Sequence, residues 1–237
     1  LLLLEDFGDR NFAHLLDNTP PPQDAEALYI LATDVLAALH QSRQAAPEDL
    51  RAYAPEIMLA DLELFLDWNA PQASASAAAE FRSAWRAALP QAHAVPQSLL
   101  LRDYHPANLM LLPEREGVRR VGLLDFQDAY RGPVTYDLIS LLEDARRDVP
   151  EGLRTRVLAH YAAQFPELDR SDFETSLAVV AALRHTRVLA IFERLARRDG
   201  RPEYRQQHSL RVGRLLERAL SHPALKPIRE WMRCHVV

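Results

Sequence analysis

Residues 99–110 read LLLRDYHPANLM, an apolar run into which an arginine, an aspartate, a histidine and an asparagine are set. Asp103 and Asn108 form the pattern D-x-x-x-x-N. The leucines before them and the Leu-Met pair after them predict a polar loop anchored in a core by two short strands. A second apolar run, VGLLDF at 121–126, ends in Asp125 at a distance that suits a hairpin with the strand after Asn108. Two carboxylates and an amide at neighbouring strand ends make a coherent chemical set. A hard divalent cation takes oxygen ligands, and Mg2+ usually accepts only one or two from the protein, with phosphates and water supplying the rest. The Asn108 carbonyl and the Asp125 carboxylate suit that role. A separate carboxylate, Asp103, can orient an attacking hydroxyl and accept its proton. Phosphoryl transfer uses these parts, because its catalysis is mostly positioning and charge neutralisation. Asp and Asn are also common turn residues, so it is their conjunction with the flanking strands that points to chemistry. His105 has no second histidine at ligand spacing and is expected to brace the loop.

Outward from this insert the chain is helical in pattern. Its 237 residues are 48% apolar and 26% charged, the composition of a soluble globular protein. A net charge of −5 gives no general nucleic-acid or membrane-surface binder. Lys226 is the sole lysine, an arginine bias that reads as coding composition. Cys234 is the sole cysteine, so neither a disulfide framework nor a cysteine metal cluster is expected, which fits a cytoplasmic location. No uninterrupted apolar run approaches the roughly 20 residues of a membrane span, and the opening LLLL is too short for a signal-peptide core. Those four residues read as the end of a buried strand, and EDFGDR turns the chain at Gly8. Asp24 is expected to cap a helix with Leu28, Leu31, Val35, Leu36 and Leu39 on its apolar face. Helical patterns follow at 56–68, with Ile57, Leu62, Phe65 and Trp68, and from the alanine run at 75 to Leu89, with Phe81 and Trp85 inward. Short strands in SLLLR, NLMLL and VRRVGLLDF are separated by Pro106 and Gly117. Helices then cover 136–147, 151–164, 171–198 and 202–220, with Pro202 in the first turn, and a short helix closes the chain. The fold class is α+β: a mostly helical body with a small central β insert.

The segments RDYHPANLMLL and VGLLDFQDAYRGPVTYDL resemble the aminoglycoside phosphotransferase and choline kinase group of the protein-kinase-like fold. More narrowly, RDYHPANLMLLP, RRVGLLDFQDA, YDLISLLEDARRDV and RHTRVLAIFERLARRDG are similar to the bacterial N-acetylmuramate/N-acetylglucosamine anomeric kinases of cell-wall recycling. The resemblance implies that Asp103 is the catalytic base and that Asn108 and Asp125 hold Mg2+. It implies that the backbone of Glu5, Asp6 and Phe7 pairs with the adenine of ATP, and that Met110 and Leu124 line the base pocket. Two departures stand out. Arg102 occupies the position before the catalytic aspartate where many relatives have glycine, and Gln127 follows Asp125-Phe126 where many have glycine. Gln127 suggests a fixed loop and offers an amide to a substrate.

A kinase-like N-terminal β lobe brings a Gly-rich loop and a phosphate-binding lysine. Neither is in this sequence, so residues 1–10 are expected to be the end of that lobe and the hinge, and 11–237 the C-terminal lobe. About a third of the protein, roughly 100 residues, would then precede Leu1. On the acceptor side, Glu143 is expected to be exposed with Asp144, Arg146 and Arg147 on a charged helix face. Arg184 and Arg187 share a face at a spacing of three and could clasp a sugar-acid carboxylate. His185 falls on the opposite, apolar side. The expected activity is ATP- and Mg2+-dependent phosphorylation of a small-molecule hydroxyl, an amino sugar first, by a monomer with no nucleic-acid or membrane partner. An aminoglycoside or choline-type kinase and a nucleotide-binding pseudokinase are the competing readings.

Overall fold

The computed structural model describes residues 5–18, 22–42 and 44–236; the strand expected at 1–4 lies outside them. The chain divides into two compact units, one of residues 1–51, 98–142 and 149–168, the other of 52–97, 143–148 and 169–237.

The first unit holds α1 (Phe12–Asn18), α2 (Pro22–Gln41), β1 (Gln97–Leu100), β2 (Leu109–Leu111), β3 (Val121–Leu123), β4 (Tyr130–Pro133), α5 (Thr135–Leu142) and α6 (Glu151–Ala163). Helix α1 was not expected. Asn11 starts it by accepting the His14 N–H at 2.7 Å, and Phe12 is buried at once. Helix α2 begins at Pro22, two residues before the expected cap Asp24. Its core stripe is Tyr29, Ala32, Thr33, Val35, Leu36 and Ala37, so Val35 and Leu36 are buried as expected while Leu28, Leu31 and Leu39 are half-buried.

Strands β2 and β3 form the expected antiparallel hairpin, with Leu109 opposite Leu123, Met110 opposite Gly122 and Leu111 opposite Val121. The chain before α1 lies along it, since the Leu111 N–H donates to the Arg10 carbonyl at 2.8 Å and Asn11 bridges to Met110. Gly122 is required by this approach. A Cβ there would sit 2.6 Å from the Phe7 ring. Strands β1 and β4 make a second two-stranded sheet, and β4 is a strand the apolar pattern did not show. Every residue of α5 is buried.

The second unit holds α3 (Pro55–Trp68), α4 (Ala75–Ala88), α7 (Arg170–Arg197), α8 (Glu203–Leu220) and α9 (Lys226–His235). Ser74 caps α4 by accepting the Ala77 N–H at 3.1 Å. Phe65 and Phe81 stack at 6.0 Å, and Trp231 of α9 packs on Phe81 at 4.7 Å while donating its indole N–H to the Ala77 carbonyl. Helix α7 packs on α3 and α8. By length and hydropathy it could cross a membrane, contrary to the expectation from uninterrupted runs, but 67% of the apolar window is buried inside the protein. Pro202 stands at the cap of α8, one residue before its first turn.

The helix expected at 136–147 ends at Leu142. Beyond it the Asp144 carboxylate accepts the Arg146 N–H at 3.2 Å, and its carbonyl accepts the Arg147 N–H. This local turn competes with helix continuation.

Candidate active site

The loop from Leu101 to Asn108 is built on three anchors. Tyr104 is buried, and its hydroxyl donates to the Ala32 carbonyl of α2 at 2.9 Å. Burial, reinforced by the charge of Asp137, holds that phenol well above its usual pKa, so it stays protonated and donating. The second anchor is Asp137 itself, the single acid inside the wholly buried α5. Its carboxylate accepts the Leu101 N–H at 2.6 Å and the Arg102 N–H at 3.0 Å. The third is Ser140, one turn later, whose hydroxyl donates to the Arg102 carbonyl at 3.1 Å.

Between these anchors the Asp103 N–H reaches back to the Leu101 carbonyl at 2.9 Å, closing a three-residue turn around Arg102 at φ +69°. That form of the turn is rare and strained. Arg102 and Asp125 are the two non-glycine residues with positive φ among those described. Strained backbone of this kind costs on the order of 1–3 kcal/mol and persists only where its surroundings over-determine it. Both positions touch the proposed chemistry, one immediately before Asp103 and the other at a proposed ligand.

Asp103 is exposed to solvent. Its carbonyl accepts from the Asn108 side-chain nitrogen at 2.9 Å. That bond fixes the orientation of the Asn108 amide. The His105 Nε2 lies 3.5 Å from the same nitrogen, in keeping with a bracing role. Hairpin register does the rest. The Leu124 N–H donates to the Asn108 carbonyl at 3.0 Å, so Asp125 is the next residue at that end of the ribbon. The two oxygen ligands expected for Mg2+ are thus brought to one edge. One carboxylate, one amide oxygen and open solvent fit a cation that keeps phosphate and water ligands. No group of three or more His, Cys, Asp or Glu suited to a metal occurs among the described residues, so a closed, all-protein cage is not the fit.

Around this edge Phe7, Met110 and Leu124 fall on the face marked by Gly122, by the two-residue period of the strands. Met110 is buried and Leu124 is 43% exposed. Glu5 and Asp6 are exposed. The Asp6 carboxylate accepts the Gly8 N–H at 2.8 Å, fixing the turn at that glycine, whose φ is +68°. Glu5 pairs with Arg115, whose guanidinium also lies 5.8 Å from the centre of the Phe7 ring. Gln127 departs from expectation, because its amide nitrogen is directed at the Asp125 carboxylate rather than outward.

The three acceptor-side candidates belong to the second unit and are bonded within it. Glu143, expected to be exposed, has a side chain 1% exposed, held by His185 Nε2 at 2.7 Å and Arg218 at 2.7 Å. Asp144 is buried as well, whereas Arg146 is exposed as expected. Arg184, expected on an open face, is buried beside His185. Its charge and that of Arg218 add to burial in holding the His185 pKa down, against the pull of Glu143. Arg187 lies 3.5 Å from the Asp61 carboxylate, which also accepts the Tyr53 hydroxyl at 2.6 Å. The pair therefore presents no open clasp, because one arginine is buried and the other is engaged. His185 is the core histidine expected.

Sequence spacing missed Asp137 and Ser140. A signal was present. A lone acid in an otherwise apolar helical stretch, YDLISLL, must find partners if the helix is buried.

Residues 1–173 match the Phosphotransferase enzyme family, APH. The N-acetylmuramate/N-acetylglucosamine kinase of Caulobacter vibrioides is 35% identical over an alignment of 249 positions, gaps included, covering 100% of this chain and 67% of that protein. The protein of the same description from Pseudomonas aeruginosa is 33% identical over 220 residues, covering 86% and 60%. The choline/ethanolamine kinase family protein of Mesorhizobium loti is similar in structure with a TM-score of 0.62 at 14% identity, covering 95% of this chain and 70% of that one. The gentamicin-APH(2")-IIa complex gives a TM-score of 0.54 at 14% identity, covering 94% and 70%. These last two show likeness of fold.

Proposed function

We propose, for a chain that belongs to the phosphotransferase enzyme family, the ATP- and Mg2+-dependent phosphorylation of an amino sugar at its anomeric hydroxyl, with N-acetylmuramate and N-acetylglucosamine as acceptors. The chain spans 67% and 60% of the two curated relatives it was aligned with, and the activity proposed is that of a protein of their length. The observation that carries the reading is the hairpin register that sets Asp125 beside Asn108 on a loop headed by Asp103.

In this reading the exposed Asp103 carboxylate accepts the proton of the acceptor hydroxyl as its oxygen forms the bond to the γ-phosphorus and the β–γ bridge breaks, releasing ADP. The Asn108 side-chain oxygen and the Asp125 carboxylate would hold Mg2+, which when bound neutralises phosphate charge. Asp137 and Ser140 fix the loop so that Asp103 meets its substrate without reorganisation. Gln127 orients the Asp125 carboxylate through its amide. Phe7, Met110 and Leu124 supply apolar surface to a base, and the backbone of Glu5 to Phe7 its polar edge. The relatives' description, N-acetylmuramate/N-acetylglucosamine kinase, supports the choice of acceptor.

The test is a phosphorylation screen, read by 31P NMR, with N-acetylmuramate, N-acetylglucosamine, choline and an aminoglycoside as acceptors. A sugar 1-phosphate formed only with ATP and Mg2+ is the expected product. Transfer to choline or the aminoglycoside alone would replace the acceptor assignment, and no transfer to any of them would end the kinase reading.

A further inference from the structure

We infer that Arg102 is a positioning residue that couples the loop bearing Asp103 to the segment bearing Asp125, through the contact of its guanidinium with Tyr130. Position 102 is where glycine would be the least strained choice. Its φ is +69°, and the turn around it is closed by the Asp103 N–H. Two buried side chains are committed to holding that conformation, Asp137 on its N–H and Ser140 on its carbonyl. An arginine here keeps the strain and adds a long side chain. What it reaches is the ring of Tyr130, 5.3 Å from guanidinium carbon to ring centre.

Tyr130 opens β4, five residues after Asp125, and β4 is the partner of β1, the strand that delivers the chain to Arg102. Backbone pairing ties β4 to the strand before the loop, and the Arg102–Tyr130 contact adds a tie from the loop itself to the first residue of β4, where the exposed stretch after Asp125 ends. Arg51 lies over the same ring at 5.7 Å, and its carbonyl accepts the Arg131 N–H at 2.9 Å. The tyrosine is therefore held from two sides of the chain, while residues 124–128 ahead of it are all exposed. The ring contact thus fixes the point at which the exposed residues rejoin the sheet. Cation–π attraction is an interaction that glycine cannot supply and lysine supplies in part.

The kinetic arm of the test rests on the phosphotransferase reading, while the exchange arm does not. Arg102→Gly, Arg102→Lys and Tyr130→Leu are compared by thermal melting, by hydrogen exchange of peptides covering 125–133, and by ATP-dependent sugar phosphorylation in a protein of the relatives' length. Arg102→Gly is expected to melt at or about 2–4 °C above the parent, since backbone strain is relieved. Exchange at 125–133 is expected to quicken by about five- to thirtyfold, and kcat to fall by a similar factor with acceptor KM unchanged within about twofold. Arg102→Lys falls between, and Tyr130→Leu reproduces both effects. The double variant Arg102→Gly, Tyr130→Leu should be no worse than either single one, as partners in one contact require. Parent-like exchange in Arg102→Gly, or losses that simply add in the double variant, would overturn the inference. A parent that transfers no phosphate ends the functional reading while leaving the exchange result decisive. Should Arg102→Gly fail to fold, the same decision rests on Arg102→Lys and Tyr130→Leu.

Discussion

Replacing Glu143 separates a structural acid from a substrate-binding one. Its side chain is 1% exposed and bonded at 2.7 Å to both His185 and Arg218. Truncating one member of a buried ion pair commonly costs about 3–5 kcal/mol, because the partner is left charged without water. Here both partners escape the worst of that. Arg218 is 39% exposed and can turn to solvent. His185 has its pKa pushed down by burial, so it remains neutral when the carboxylate is gone. The loss includes the Arg218 ion pair, a hydrogen bond to a buried ring whose Nδ1 already finds no partner among the described residues, and the packing of the side-chain methylenes. Glu143→Ala should therefore cost about 2–3 kcal/mol. At about 2–4 °C per kcal/mol for a chain of this size, its melting temperature should fall by about 4–12 °C. Glu143→Gln keeps the shape and a hydrogen-bonding oxygen, so it should lose less than half as much. Differential scanning fluorimetry gives the shift, and steady-state kinetics at a temperature where both proteins are folded should give parent-like kcat and acceptor KM within about twofold. An Ala variant that melts with the parent while its acceptor KM climbs tenfold would refute the argument and return Glu143 to the substrate.

Other perturbations address the active-site edge and its support. Asp103→Asn should lower kcat by about 10² or more with the melting temperature unchanged, since the side chain is exposed; near-normal turnover in steady-state assays would make Asp103 a turn residue. Gly122→Ala places a methyl 2.6 Å from Phe7, so the ring must move, and KM for ATP should rise several-fold more than KM for the sugar. Equal changes in the two would remove Phe7 from the nucleotide face. His40 bonds to the Tyr161 hydroxyl at 2.8 Å and to the Leu99 backbone in β1, and burial lowers its pKa from 6.5 to about 4. The unfolded state then binds the proton first, so this histidine's contribution is complete above about pH 6.5 and is lost as pH falls towards 4. The loss reaches about 3 kcal/mol at most. Urea midpoints measured across that window should slope less in His40→Gln than in the parent.

The place of the candidate site was legible in the sequence where residue type and strand spacing coincide. Asp103, Asn108 and Asp125 are polar groups set at strand ends, and their spacing limited them to one hairpin. What could not be read was any bond whose partner is remote in sequence. Residues Glu143, His185 and Arg218 come together across 75 positions, and helical periodicity carries no term for such a meeting. It placed Glu143 on the open face of a helix that in fact stops at Leu142, where the Asp144 turn captures the backbone. The spacing of Arg184 and Arg187 was read correctly as a shared face, but spacing cannot say whether that face meets solvent, and burial of Arg184 decided the matter. Arg102 shows the same limit from the other direction. As a departure from glycine it looked like a local oddity. Its cause lies 35 to 38 residues downstream, where Asp137 and Ser140 clamp both ends of its peptide units and make a left-handed arginine tolerable. A position at which a residue defies its local conformational preference is thus informative in its own right. It says that something distant must be holding the backbone there, and in α5 the buried acid of an otherwise apolar helix is the residue able to do so.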